Sequence, residues 1–218
     1  QIGKFTREYS PLPNWWFDPY PQFVIIWKPE AKSSFDFCCT RLRRLFPNVQ
    51  HLAIHMPLDS TTLITLLAQW QQLTTLLLYS KVLKSESSAL CDRINSITGI
   101  KYLLLGWHTK VKMSHLAPTL GRLERFAIAN NGDISVVLRH LSPACTSLWC
   151  DEDSVRNSQL TESLRINPQA IAQLTHLRLH ICNSTRLNLF LEHVTNLQHL
   201  EIDMNGVKKI FHKPFPTY

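Results

Sequence analysis

A phrase of apolar residues spaced L-x-x-L-x-L, in conservative variants, recurs seven times along this chain. It reads Val49-x-x-Leu52-x-Ile54, Leu73-x-x-Leu76-x-Leu78, Ile100-x-x-Leu103-x-Leu105 and Leu123-x-x-Phe126-x-Ile128. It continues as Cys145-x-x-Leu148-x-Cys150, Leu174-x-x-Leu177-x-Leu179 and Leu197-x-x-Leu200-x-Ile202, so that successive copies start 22–29 residues apart. One such phrase is weak, because any leucine-rich core segment produces it by chance. Seven at a near-constant period constrain the fold strongly. A unit of this length cannot bury its apolar face alone, so neighbouring units must stack into one continuous core.

Three copies carry the phrase further. Asn131, Cys182 and Asn205 each follow the last apolar position by three residues, giving L-x-x-L-x-L-x-x-N/C. At that place an inward Asn or Cys can satisfy backbone groups as the chain leaves a strand. Pro57, Lys81, His108 and Asp153 stand there in the other copies, so the repeat is degenerate. The pattern predicts an α/β fold, a leucine-rich-repeat solenoid of about seven repeats. Its curved parallel sheet lines the concave side and its helices the convex side. Helices are expected over Asp59–Trp70, Ser87–Ile97, Asp133–Leu141, Pro168–Gln173 and Asn188–Val194, several opening on capping residues such as Asp59, Ser87, Asp133 and Asn188. Phe35–Phe46 reads as the helix before the first copy, and Phe23–Trp27 as an extra strand ahead of it.

The 22–29-residue period organises the chain into three parts. Residues 1–22 hold Pro11, Pro13, Pro19 and Pro21 among Trp15, Trp16, Phe17 and Tyr20. This proline density blocks a long helix, and the segment reads as a cap or linker. The repeat domain is expected over 23–206, and 207–218 reads as a C-terminal tail. The chain begins at Gln1 rather than Met, so a fragment or a processed product is expected.

Apolar residues make up 44% of the 218, enough for one sizeable core, yet no apolar run reaches the ~18–20 residues of a membrane span. No membrane partner is expected. Of the six cysteines, Cys145, Cys150 and Cys182 fall where the repeat needs a small buried residue, and none forms C-x-x-C or a zinc-finger spacing with histidine. Reduced thiols and a cytoplasmic or nuclear setting follow. The net charge of +7 raises the question of nucleic acid, but the basic residues are scattered, with short clusters only at Arg41–Arg44 and Lys208–Lys213. Lacking a basic stripe interleaved with aromatics, the chain is not expected to bind it.

In a strand reading x-L-x-L-x, the residues between and beside the leucines face away from the core. The middle column then runs Ala53, Leu77, Leu104, Ala127, Trp149, Arg178, Glu201, apolar for five repeats and then charged. An apolar stripe flanked by aromatics and ending in charges suits a protein partner held in the concave groove. The expected contact residues are Tyr79, Tyr102, Trp149, Arg178 and His180, with Leu77 and Leu104 beneath them. The alternative is a sheet buried on both faces, in which Leu76-Leu77-Leu78 and Leu103-Leu104-Leu105 are simply core. In-register parallel strands would set Arg178 beside Glu201, His180 beside Asp203 and His176 beside His199. Two histidines invite a metal, but no third ligand is evident, so none is expected. The segment Asp151–Ile166, where the period stretches to 29, reads as a polar contact loop. Only six glycines are present, and no phosphate loop, G-x-S-x-G or H-E-x-x-H occurs; neither catalytic residues nor a cofactor is expected.

The phrase Leu174–Cys182, together with Phe46-Pro-Asn-Val-Gln-His-Leu-Ala-Ile54 and Val194-Thr-Asn-Leu-Gln-His-Leu-Glu-Ile202, resembles the repeat region of F-box/leucine-rich-repeat proteins. The similarity covers about residues 35–205. It implies that the repeats hold a substrate protein. It also implies that an F-box, absent from this chain, would dock on the adaptor of a cullin-type ubiquitin ligase. The alternatives are a general interaction scaffold or inhibitor, and, as a third reading, an RNA-binding protein.

Overall fold

The expected alternation of strand and return helix is what the chain builds. The computed structural model describes residues 24–26, 48–55, 58–80, 87–106, 109–129, 133–152, 157–181, 184–204 and 207–212. The last two apolar positions of all seven phrases lie on strands: β2 (His51–Ile54), β3 (Thr75–Leu78), β4 (Tyr102–Leu105), β5 (Arg125–Ile128), β6 (Ser147–Glu152), β7 (His176–Ile181) and β8 (His199–Met204). β1 (Val24–Ile26) precedes them and β9 (Val207–His212) follows. Among the described residues these nine strands form one sheet in strictly sequential order, parallel from β1 to β8, with β9 antiparallel on β8.

Parallel neighbours need a crossover, and helices supply it. They are α1 (Ser60–Leu67), α2 (Ser87–Ser96), α3 (Ala117–Leu120) after a 3₁₀ turn at Met113–Leu116, α4 (Ile134–His140), α5 (Asn157–Ile166), α6 (Pro168–Ala172) and α7 (Ser184–Leu191). Asp59 caps α1 by accepting from the Thr62 amide, and Asp133 caps α4 by accepting from the Ser135 and Val136 amides. Each of these carboxylates meets amides that the first helical turn leaves unpaired. The entry to each strand is also stereotyped. Thr74 and Thr75 both donate to the Gln50 carbonyl, Lys101 and Tyr102 to Thr74, Glu124 and Arg125 to Lys101, and Gln198 and His199 to Thr175. The main core lies between sheet and helices. Leu52, Ile54, Leu76, Leu78, Leu103, Leu105, Phe126, Ile128, Leu148, Leu177 and Leu179 meet Leu63, Leu66, Leu90, Ile94, Leu120, Val137, Leu138, Leu160, Leu164 and Ile171 there.

Three expectations change. The stretch expected as a loop over Asp151–Ile166 contains the end of β6 and the helix α5, whose Leu160 and Leu164 are buried in the main core. Its four-residue spacing of Leu160 and Leu164 is a helical signal that the surrounding polar residues masked. Residues 207–212, assigned to the tail, extend the sheet, with Phe211 packed against the core. The helix expected from Asn188 starts at Ser184, so Asn188 lies inside it rather than capping it. Asn131, Cys182, Asn205, the 35–46 helix, residues 1–22 and Arg41–Arg44 lie outside the described residues. Among the described residues, no helix is long and apolar enough to cross a membrane. Cys91, Cys145 and Cys150 are buried, and burial pushes the Cys91 and Cys145 thiols up to about 12.

Candidate functional site

The register places every pair that the phrase predicts. Ala53, Leu77, Leu104, Ala127, Trp149, Arg178 and Glu201 stand in one row across β2 to β8. Two further rows flank it. His51, Thr75, Tyr102, Arg125, Ser147, His176 and His199 form one, and Asp151, His180 and Asp203 lie on the other. Ala53, Leu77, Leu104, Ala127, Ala129 and Trp149 make a second apolar cluster with Tyr79 against it, separate from the main core. No residue of a described helix belongs to this cluster.

The stripe is not an open groove. Leu77 and Trp149 are 1% exposed and Leu104 is fully buried. These three were expected at or just beneath a contact surface, and the structure puts them out of reach of solvent. Part of the reason is lateral packing within the sheet. The Arg178 guanidinium lies 4.3 Å from the centroid of the Trp149 ring, a cation–π contact. The Tyr79 ring stacks on His55, centroids 4.1 Å apart, and leans over Gly106, where a Cβ would fall 2.6 Å from Tyr79 Cδ1. Glycine is required there for space. Among the described residues the Trp149 indole Nε1 is buried without a hydrogen-bond partner.

The polar members are more accessible. Tyr79, Tyr102, Arg178 and His180 are all half-buried. Tyr102 donates its hydroxyl to Glu124 (3.0 Å) and stacks its ring under Arg125, 5.2 Å away. The Lys101 ammonium, 2.7 Å from Glu124, is the first of several donors that hold that carboxyl below the usual carboxylate range. Arg178 Nε stands 3.1 Å from Glu201 Oε1, and Glu201 is only 2% exposed. His180 Nε2 is 4.0 Å from Asp203 Oδ1. His176 and His199 stack with ring centroids 5.8 Å apart, and burial first, then His199 and Arg125, lower the His176 pKa. Burial likewise lowers His51, and pulls His55 down to about 4.

Sequence reasoning named Tyr79, Tyr102 and His180 outside the middle row but did not single out Arg125 or Glu124. Arg125 and Glu124 signal themselves only once β4 and β5 are known to be adjacent. Among the described residues no three His, Cys, Asp or Glu side chains form a ready cage for an ion. Compared with models of known protein families and with curated proteins, the chain matches none.

Proposed function

We propose that the chain is a non-catalytic protein-interaction module of the leucine-rich-repeat kind, binding its partner on the sheet face away from the helices. The observation that carries this reading is the row arrangement on that face. A rigid, in-register sheet displays half-buried Tyr79, Tyr102, Arg125, Arg178 and His180 around a buried apolar stripe. Tyr and Arg on a fixed platform are the residues that contribute most to protein interfaces, because they bury large area at small entropic loss. Held by ring stacking and carboxylates, these side chains have already lost much of the rotamer freedom that binding removes.

The basic excess does not favour nucleic acid. Arg93 donates to the Leu67 carbonyl, Arg122 to three carbonyls, and Lys101, Arg139 and Arg178 pair with Glu124, Glu162 and Glu201. These five of the 23 basic side chains are thus engaged by groups of the protein itself. The resemblance to F-box/leucine-rich-repeat proteins makes substrate recognition for a cullin-type ubiquitin ligase the finer form of the proposal. A scaffold or inhibitor without that link would use the same face.

The test is affinity capture from cell extract with wild type, Tyr102→Ala and His180→Ala, followed by binding of the purified captured protein. Both variants should keep the circular-dichroism spectrum and weaken binding, with a half-buried interface tyrosine costing ~1–2 kcal/mol or more. Undiminished binding by both variants would refute this face as the interface. A co-purifying cullin-ligase adaptor in the full-length protein would support the finer reading.

A further inference from the structure

The last strand ends the sheet on a backbone edge. β9 is held on β8 over six register pairs, from His199↔His212 to Met204↔Val207, and among the described residues it pairs with no other strand. In an antiparallel strand, alternate residues turn their N–H and C=O groups away from the partner. The outer side of β9 therefore presents a row of such groups, the template on which a further strand forms. Side-chain direction along it follows from alternation. Phe211 pairs with Leu200 and packs on the main core, so Ile210, opposite Glu201, emerges on the face away from the helices. Ile210 is 51% exposed, and Lys209 beside it is exposed as well.

Charge selects the occupant of this edge. From Val207 to Tyr218 the sequence holds Lys208, Lys209 and Lys213 and neither Asp nor Glu. Lys209 stands across from Ile202 in the register, so β8 sets no carboxylate opposite it. The carboxylates of β8 are directed elsewhere: Glu201, 2% exposed, lies against Arg178, and Asp203 is 4.0 Å from His180. A second copy would bring the same lysines together along one edge, and like charges on paired strands are destabilising. An incoming strand with acidic side chains gains where a second copy loses.

We propose that β9 is a docking edge for an extended, acidic segment of another protein. The segment adds to the sheet as a further strand, with its backbone paired to β9, its carboxylates towards Lys209 and an apolar side chain over Ile210. Backbone pairing supplies affinity with little regard to sequence, while the charge and the exposed isoleucine choose which segment binds. The edge does not depend on the binding face proposed above, because Tyr79, Tyr102, Arg125, Arg178 and His180 all lie outside β9.

The probe is a fluorescein-labelled synthetic peptide, Asp-Val-Glu-Val-Asp-Val-Glu, titrated with the full chain and followed by fluorescence anisotropy. Beside it run a version with lysines in place of the acids and two versions N-methylated at alternating sets of amides. The acidic peptide should bind wild type saturably, about tenfold tighter than the lysine version. One N-methylated version should lose roughly tenfold, since its backbone hydrogen bonds to β9 are gone, and the other should bind like the parent. Lys209→Glu should weaken the acidic peptide and strengthen the lysine version, and Ile210→Asp should weaken the acidic one. Lys110→Glu, the same change of net charge at an exposed residue outside β9, should leave binding within about twofold. Circular dichroism and urea midpoints verify each fold, with Ile210→Thr replacing Ile210→Asp if the latter is unfolded. The proposal is overturned if wild type shows no saturable binding or if both N-methylated versions bind like the parent. Equal losses in Lys110→Glu and Lys209→Glu would overturn it too, as would a dimer of the chain that Ile210→Asp dissociates, which would give the edge to a second copy.

Discussion

Trp149 shows what a single row position does in this sheet. It was read as a contact residue, yet it is 1% exposed, with Ala127 beside it on β5 and Arg178 over its ring. Trp149→Ala should therefore act on stability, lowering it by about 3–5 kcal/mol in urea denaturation, as deletion of a large buried aromatic does. A loss of only a few tenths would show that the ring is not packed as described. The histidines give a pH signature. His55, His51 and His176 have folded pKa values below the usual 6.5, His55 at about 4, so the folded state binds fewer protons than the unfolded chain. Their contribution is complete above pH 6.5 and is lost as pH falls from 6.5 towards 4. The urea midpoint should drop across that window, and His55→Gln should flatten part of the drop. Carboxylates held low, Asp59 and Glu124, act only at still lower pH. None of this burial could be read from sequence. A Trp between Leu148 and Cys150 has the same alternation whether its face is open or covered.

Several helix ends are tied to a later part of the chain by a polar side chain that donates to their last carbonyls. Arg122 donates to the carbonyls of Ile94, Asn95 and Ile97 at the end of α2, and to Thr119 Oγ1. Asn167 Nδ2 does the same for Leu138 and Leu141 at the end of α4, and Asn196 Nδ2 for Ala172 at the end of α6. Hydrogen bonds from a charged donor contribute more than neutral ones, so Arg122→Met should lower stability by roughly 1.5–3 kcal/mol in urea. A change within a few tenths would mean water replaces the guanidinium there. The Asn of the phrase Val194-Thr-Asn was visible in the sequence as part of a family pattern; its physical use, closing the end of α6, required knowing which helix lies beside it. Helix α5 is the converse case. Its core contacts rest on two leucines, Leu160 and Leu164, among polar neighbours, and so thin an apolar face reads as a loop until the core is there to receive it.

Among the described residues, strands pair only with their sequence neighbours, so stability should be distributed along one axis. Amide hydrogen exchange should be slowest in β3 to β6, flanked on both sides, and faster in β1 and β9 at the sheet edges. Uniform protection from β1 to β9 would contradict this. The sequence by itself determined the strand count of the repeated phrases, their parallel order and their register. A period of 22–29 residues with L-x-L at its centre leaves one way to stack, and a one-residue slip would turn every leucine out of the core. The tertiary structure alone decided two things. It closed the second face of the sheet over Leu77, Leu104 and Trp149, because burial there depends on which side chains lean across from adjacent strands. It also returned the chain as antiparallel β9, which packs Phe211 against the main core, since a reversal of direction leaves no mark in an apolar period.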